Sequence, residues 1–175
     1  MAYDISVREV DTIKAMTVRF VSSCETIGND MSAFFGELYG YLESNGALFT
    51  GECFAIYHDE EFNPEHIDVE CGFSVVDLLP DEDPVTGREI EGGLMACALH
   101  KGPYDKLEEA YGAIMVWAKE NGYQIQPGVR DLYINDPKSE GVNSPEDYLT
   151  EVLWPVKKIE EEGELQEGAL VSDSD

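Results

Sequence analysis

Two segments of the chain set a glutamate in the middle of an otherwise strand-like run. Pro64–Val75 reads PEHIDVECGFSV and Pro145–Val156 reads PEDYLTEVLWPV, with Glu70 and Glu151 in matching register. Successive side chains of a strand point to opposite faces. Ile67, Val69, Cys71, Phe73 and Val75 therefore share one face, and Glu70 lies on the other with Asp68, Gly72 and Ser74. In the second run Tyr148, Thr150, Val152, Trp154 and Val156 share the helix side, and Glu151 lies opposite, beside Leu149 and Leu153. A carboxylate among apolar neighbours is costly unless something compensates it. Such a group either attracts a cationic ligand or has a raised pKa suited to proton transfer. If Leu132 and Ile134 face the core, Tyr133 shares the face of Glu151, and Tyr57 likewise shares that of Glu70. The expected site is two Tyr/Glu pairs on the sheet face away from the helices, where aromatic rings suit a flat or cationic organic molecule.

Other chemistry finds little support. The four cysteines, Cys24, Cys53, Cys71 and Cys97, have no C-x-x-C spacing, and the three histidines, His58, His66 and His100, are not paired at helical spacing. This argues against a zinc site, and no metal or cofactor is expected. No Ser-His-Asp or Cys-His arrangement is present, so any catalysis would rest on a carboxylate and a phenol.

The elements that must carry these residues follow from periodicity. Met31, Phe34, Phe35, Leu38, Tyr41 and Leu42 recur at helical spacing, predicting a helix from about Gly28 to Ser44 that Asn45-Gly46 stops. Leu107, Ala110, Tyr111, Ile114, Trp117 and Ala118 predict a second from about Lys106 to Glu120, stopped by Asn121-Gly122, with Asp105 and Glu108 fitting a capping box. Strand-like runs flank both: Asp4–Val10, Ile13–Phe20, Cys53–Tyr57 and Ile67–Val76 around the first, Leu94–Leu99, Val129–Asn135 and Tyr148–Val156 around the second. The order is strand, helix, strand, strand, twice, with an extra strand at the N-terminus. Register supports duplication. An offset of 76 aligns both Asn-Gly stops, Ile56 with Leu132 and Tyr57 with Tyr133, and an offset of 81 aligns Pro64 with Pro145 and Glu70 with Glu151.

The expected fold is α+β: duplicated β-α-β-β half-domains forming an antiparallel sheet, two helices on one side and a ligand cleft between the halves. The domain spans 1–158, with halves at about 11–76 and 93–158, an exposed linker at 77–92 and an acidic, disordered tail at 159–175. The formal net charge of −26 over 175 residues argues against direct nucleic-acid binding and against anionic membranes. Without a signal segment or a membrane span, and with unpaired thiols, the cytoplasm is the expected location.

The run LMACALHKGPYDKLEEAYGAIMVWAKENGYQIQPGVRDLYIND, followed by YLTEVLWPV, resembles the gyrase-inhibitor-like (GyrI-like) small-molecule-binding domain. That domain is shared with the effector-binding parts of multidrug-responsive regulators of the MerR and AraC types. The likeness covers about Tyr3 to Lys157; the weaker first half lacks a GPY turn, having RFVSSCETIGND instead. The resemblance implies a cleft between the halves with a glutamate at its centre, matched by Glu151, and ligand contacts from Tyr133, Tyr104 and Trp117; the strand faces read above add Tyr57 and Glu70 in the first half. Three functions remain open on this reading. One is capture of hydrophobic, aromatic or cationic compounds. Another is hydrolysis of reactive cyclopropane-containing electrophiles by Glu151 and Tyr133. The third is gyrase inhibition through an acidic surface, with DNA gyrase or a regulator as protein partner.

Overall fold

The computed structural model describes residues 2–160, so the tail expected from residue 159 onward lies outside the described residues apart from its first two positions. Its elements are β1 (Ser6–Val10), β2 (Ile13–Ser22), α1 (Ile27–Ser44), β3 (Phe49–Tyr57), β4 (Ile67–Val75), β5 (Thr86–Ile90), β6 (Gly93–Lys101), α2 (Leu107–Glu120), β7 (Tyr123–Ile125), β8 (Val129–Tyr133) and β9 (Leu149–Lys158). The strands form one curled antiparallel sheet in the order β1-β6-β9-β8-β3-β4-β2-β5, with β7 on the far end of β9. Among the described residues no helix is long and apolar enough to cross a membrane.

Both helices end by the same chemistry. The side-chain amide of Asn45 donates to the Tyr41 carbonyl at 2.8 Å, and that of Asn121 to the Trp117 carbonyl at 2.8 Å. The glycine after each adopts the left-handed conformation, φ +65° at Gly46 and +79° at Gly122, which L side chains rarely take. The starts differ from expectation. Tyr104–Lys106 form a 3-10 turn, and α2 begins at Leu107 without a side-chain cap, so the capping box of Asp105 and Glu108 does not form.

The stretch 77–92 is not simply a linker. It contains β5, which pairs with β2, just as β1 pairs with β6. Each repeat is therefore β-β-α-β-β, and each gives its first strand to the other repeat. The N-terminal strand is not an addition but the counterpart of β5. The sequence TGREI hides this strand because it is short and half charged, and its pairing depends on a distant edge rather than on its own propensity.

Both helices cover the same face. Leu38 and Leu42 of α1 pack on Met16, Val18, Cys71 and Val75, and Leu107, Ala110 and Ile114 of α2 pack on Ala96, Ala98, Val152 and Val156. Burying one such leucine contributes roughly 1.5–3 kcal/mol. The opposite face is not solvated. Ala15, Phe54, Ile56 and Ile90 form one apolar cluster there, Met95, Cys97 and Leu153 form another, and Leu132 packs against both. Because both faces are apolar at the sheet centre, Leu132 lies on the face away from the helices, contrary to the sequence expectation.

Candidate functional site

Register decides which residues meet. Directly opposed residues of antiparallel strands share a face. Val18, Cys71, Ala55, Asp131, Val152 and Ala98 are opposed in turn across six strands and form one row on the helix side. All six are buried, and Asp131 alone is ionisable as an acid of ordinary strength. The offset of 76 equates Ala55 with Asp131, and these two oppose each other, so the pseudo-twofold axis passes between them.

Tyr57 opposes Val69 and Tyr133 opposes Thr150, which places both phenols on the helix side too. Glu70 opposes Ile56, and Glu151 opposes Leu132 and Leu99, on the other face. The expected Tyr/Glu pairs therefore do not exist: the sheet separates each tyrosine from its glutamate. The reason lies in β8, where Leu132 packs on the apolar clusters of the face away from the helices and so turns Asp131 and Tyr133 toward them.

Asp131 is 0% exposed. Its Oδ2 accepts a 2.6 Å hydrogen bond from the Tyr111 hydroxyl, and its Oδ1 has no partner among the described residues. Burial pushes its pKa up to about 7, against the opposing pull of the Tyr111 hydrogen bond. Burial, then the Asp131 charge, raises Tyr111 in turn. Tyr111 is held on α2 edge-on to Trp154, with ring centres 5.9 Å apart.

Half-buried Tyr57, Tyr133 and Tyr148 and the exposed Tyr104 surround this floor. The Tyr57 hydroxyl points at the Met31 sulfur, 3.9 Å away. Tyr133 meets Phe35 of α1 edge-on at 6.2 Å and Tyr104 at 5.5 Å, and Tyr104 stacks on Tyr148 at 4.7 Å. Burial pushes the Tyr104 phenol up to about 12 and raises Tyr57 and Tyr133 as well. The HKGPY turn sets Tyr104 in place. His100 Nε2 donates to the Pro103 carbonyl at 3.1 Å and Nδ1 accepts from the Tyr3 hydroxyl at 2.9 Å, a tautomer assigned from these partners. Gly102, at φ +139°, donates its N–H to the Tyr148 carbonyl at 2.9 Å.

The remaining sequence candidates lie elsewhere. Glu151 is bound by Arg8 at 2.8 and 3.3 Å. Glu70 is 2% exposed; burial would raise it, but hydrogen bonds from Arg88, His58 and Thr17 hold it well below the usual carboxylate range. Trp117 stacks on Tyr123 and lines a groove of about 660 Å³ between α2 and the Ala2–Ile5 arm. A smaller hollow of about 230 Å³ lies between α1 and the β4–β5 connection. Neither holds Asp131 or a tyrosine of the cluster. The described residues contain no group of three or more His, Cys, Asp or Glu side chains placed to hold a metal.

Sequence reasoning overlooked Asp131, although its signal was available. The offset that pairs Tyr57 with Tyr133 also pairs Ala55 with Asp131, the one place where the repeat exchanges an apolar residue for an acid on the tyrosine face.

The profile of the GyrI-like small-molecule-binding domain matches residues 3–157. The chain belongs to this family. Its likeness to solved structures extends over nearly the whole chain. The C-terminal domain of EcmrR is 26% identical, with TM-score 0.81, over 91% of this chain and 100% of that one. EcmrR bound to DNA in a transcription complex gives TM-score 0.80 and 26% identity over 90% of this chain, which spans only 58% of that longer protein. SAV2435 bound to tetraphenylphosphonium is 12% identical, with TM-score 0.58, over 90% of this chain and 94% of that one. No curated protein matches this GyrI-like domain in sequence.

Proposed function

We propose that this domain captures lipophilic organic cations in the cleft between α1 and α2. Asp131 is the counter-charge, and Tyr57, Tyr104, Tyr111, Tyr133 and Tyr148 are the aromatic walls. The observation that carries this reading is the unpartnered Oδ1 of a fully buried carboxylate amid aromatic rings. A buried acid without a cation is costly, and a ligand cation relieves that cost while the ring faces attract it. The central glutamate implied by resemblance is replaced in this assignment by Asp131, because Glu151 faces away and is already paired with Arg8. The surrounding negative charge of the chain raises the local concentration of cations. By likeness to the EcmrR C-terminal domain, the biological role we assign is that of an effector-sensing module.

Calorimetric titration with tetraphenylphosphonium tests this. Asp131→Asn should weaken binding about tenfold or more, corresponding to at least ~1.4 kcal/mol, while Glu151→Gln leaves it unchanged. Equal affinity of wild type and Asp131→Asn would overturn the assignment. A pKa of about 7 at Asp131 beside a phenol also suits proton transfer to a reactive ligand. Mass spectrometry of recovered electrophilic ligands, with one water added or none, separates hydrolysis from capture.

A further inference from the structure

We infer that the cleft exchanges a proton for its cation: Asp131 is a protonated acid in the empty domain and releases that proton to solvent when an organic cation enters. The inference rests on the cation-capture reading above and adds the regulation of the same site.

The geometry supplies the reason. β8 presents Tyr133 beside Asp131, β3 presents Ala55 and Tyr57, β9 presents Val152 and Thr150, and β4 adds Cys71. From the helices come Tyr111 of α2 and, against the tyrosines, Met31 and Phe35 of α1. Tyr104 meets Tyr133 edge-on, and Cys53 lies close enough for its charge to raise the Tyr133 phenol. No lysine, arginine or histidine is among these residues. Arg130, adjacent in sequence, opposes Ile56 and Leu153 on the other face. The phenols and thiols here are raised by burial and therefore neutral near pH 7, with Cys53 and Cys71 pushed up to about 12; Asp136 also acts on Tyr104 and Cys53 and, being an acid, offers Asp131 no counter-charge.

An ionised Asp131 would thus have one hydrogen bond, from Tyr111, and no positive charge nearby. The neutral acid is the favoured form in such surroundings. An organic cation reverses the preference, because an opposite charge at close range favours ionisation. The exchange is balanced: the carboxyl O–H bond breaks, its proton passes to the buffer, the cation takes its place, and no electrons are transferred. The net charge of the complex is that of the empty domain. Below about pH 7 a neutral aromatic ligand of the same shape meets a neutral acid, so its affinity there does not rise with pH.

The test uses tetraphenylphosphonium, whose charge is fixed, so any proton released comes from the protein. Titrations are run at about pH 6 in phosphate and in bis-Tris, and at about pH 8.5 in borate and in Tris, so that the different ionisation heats of two working buffers report released protons. At the lower pH close to one proton should leave per cation bound, and affinity should rise about tenfold per pH unit; at the higher pH both effects should vanish. In Asp131→Asn, with native circular dichroism, no proton should leave at either pH. Binding by the wild type that is flat in pH and free of buffer-dependent heat overturns the exchange and leaves capture standing. No binding at either pH overturns both.

Discussion

Arg88 holds Glu70 through two hydrogen bonds, Nη2 to Oε1 at 2.6 Å and Nε to Oε2 at 2.8 Å. Arg8 holds Glu151 in the same manner at 2.8 and 3.3 Å. The arginines lie 80 positions apart and the glutamates 81. They are one interaction occurring twice. Because β1 and β5 are exchanged between repeats, each arginine binds the glutamate of the repeat it does not belong to. The unusual glutamate strands are thus explained by the assembly of the two halves, and the acid we propose for the ligand is a different residue, Asp131.

The two pairs should differ in strength. Glu70 is 2% exposed and also accepts from His58, whereas Glu151 is 21% exposed and has Arg8 alone. Glu70→Gln is expected to cost about 2–3 kcal/mol in urea unfolding at neutral pH, and Glu151→Gln less than about 1 kcal/mol. The folded state holds Glu70 in a lowered range, so its contribution is present above the ordinary glutamate pKa and is lost as pH falls below it. Glu70→Gln should therefore lose less on acidification than the wild type does. Equal costs for the two variants would mean that the exposed pair staples the repeats as firmly as the buried one.

Arg130 should behave in the opposite way. It is 2% exposed, and among the described residues its Nε has no partner and no carboxylate lies at ion-pair distance. The Phe54 ring lies under its guanidinium, at 5.8 Å, and burial lowers its pKa against the weaker opposing pull of the Glu52 charge. Replacing it with Met keeps most of the stem volume and removes a buried unpaired charge. Arg130→Met should raise stability by about 1–2 kcal/mol, seen as a melting temperature higher by roughly 3–6 °C. A lower melting temperature would show that the guanidinium has a compensating partner in solution.

Asp131 should leave its mark on the pH dependence of folding. Its folded pKa of about 7 lies above the usual aspartate value of roughly 3.9. Between about pH 4 and pH 7 the folded state holds a proton that the unfolded chain has lost, so stability declines as pH rises through this window and levels off above it. Each pH unit contributes at most about 1.4 kcal/mol. Asp131→Asn should remove this decline in urea midpoints measured at about pH 5, 6, 7 and 8. Parallel profiles for the two proteins would show Asp131 ionised throughout, and with it a site already poised for a cation.

Much of this domain could be read from local pattern. The 3.6-residue spacing of Phe34, Leu38 and Leu42, and of Leu107, Ala110 and Ile114, specified both helices, and Asn-Gly specified where they stop. Alternation along β4 and β9 assigned Cys71 and Val152 to the helix side, as found. The match of Tyr57 with Tyr133 and Glu70 with Glu151 revealed the duplication. These signals are local, and each needs only the backbone geometry of its own segment.

What tertiary structure decided was which surfaces meet. A strand's alternation says that two faces differ, but not which one meets the helices when both are apolar, as around Leu132. That choice moved Tyr57 and Tyr133 away from the glutamates and brought them beside Asp131. β5 was invisible for a related reason: its pairing energy comes from an edge of β2 some seventy residues earlier in the chain. The sequence determined the parts and their twofold repetition, whereas the pairing of β3 with β8, a long-range choice of partner, set Asp131 against Ala55 where the two halves meet.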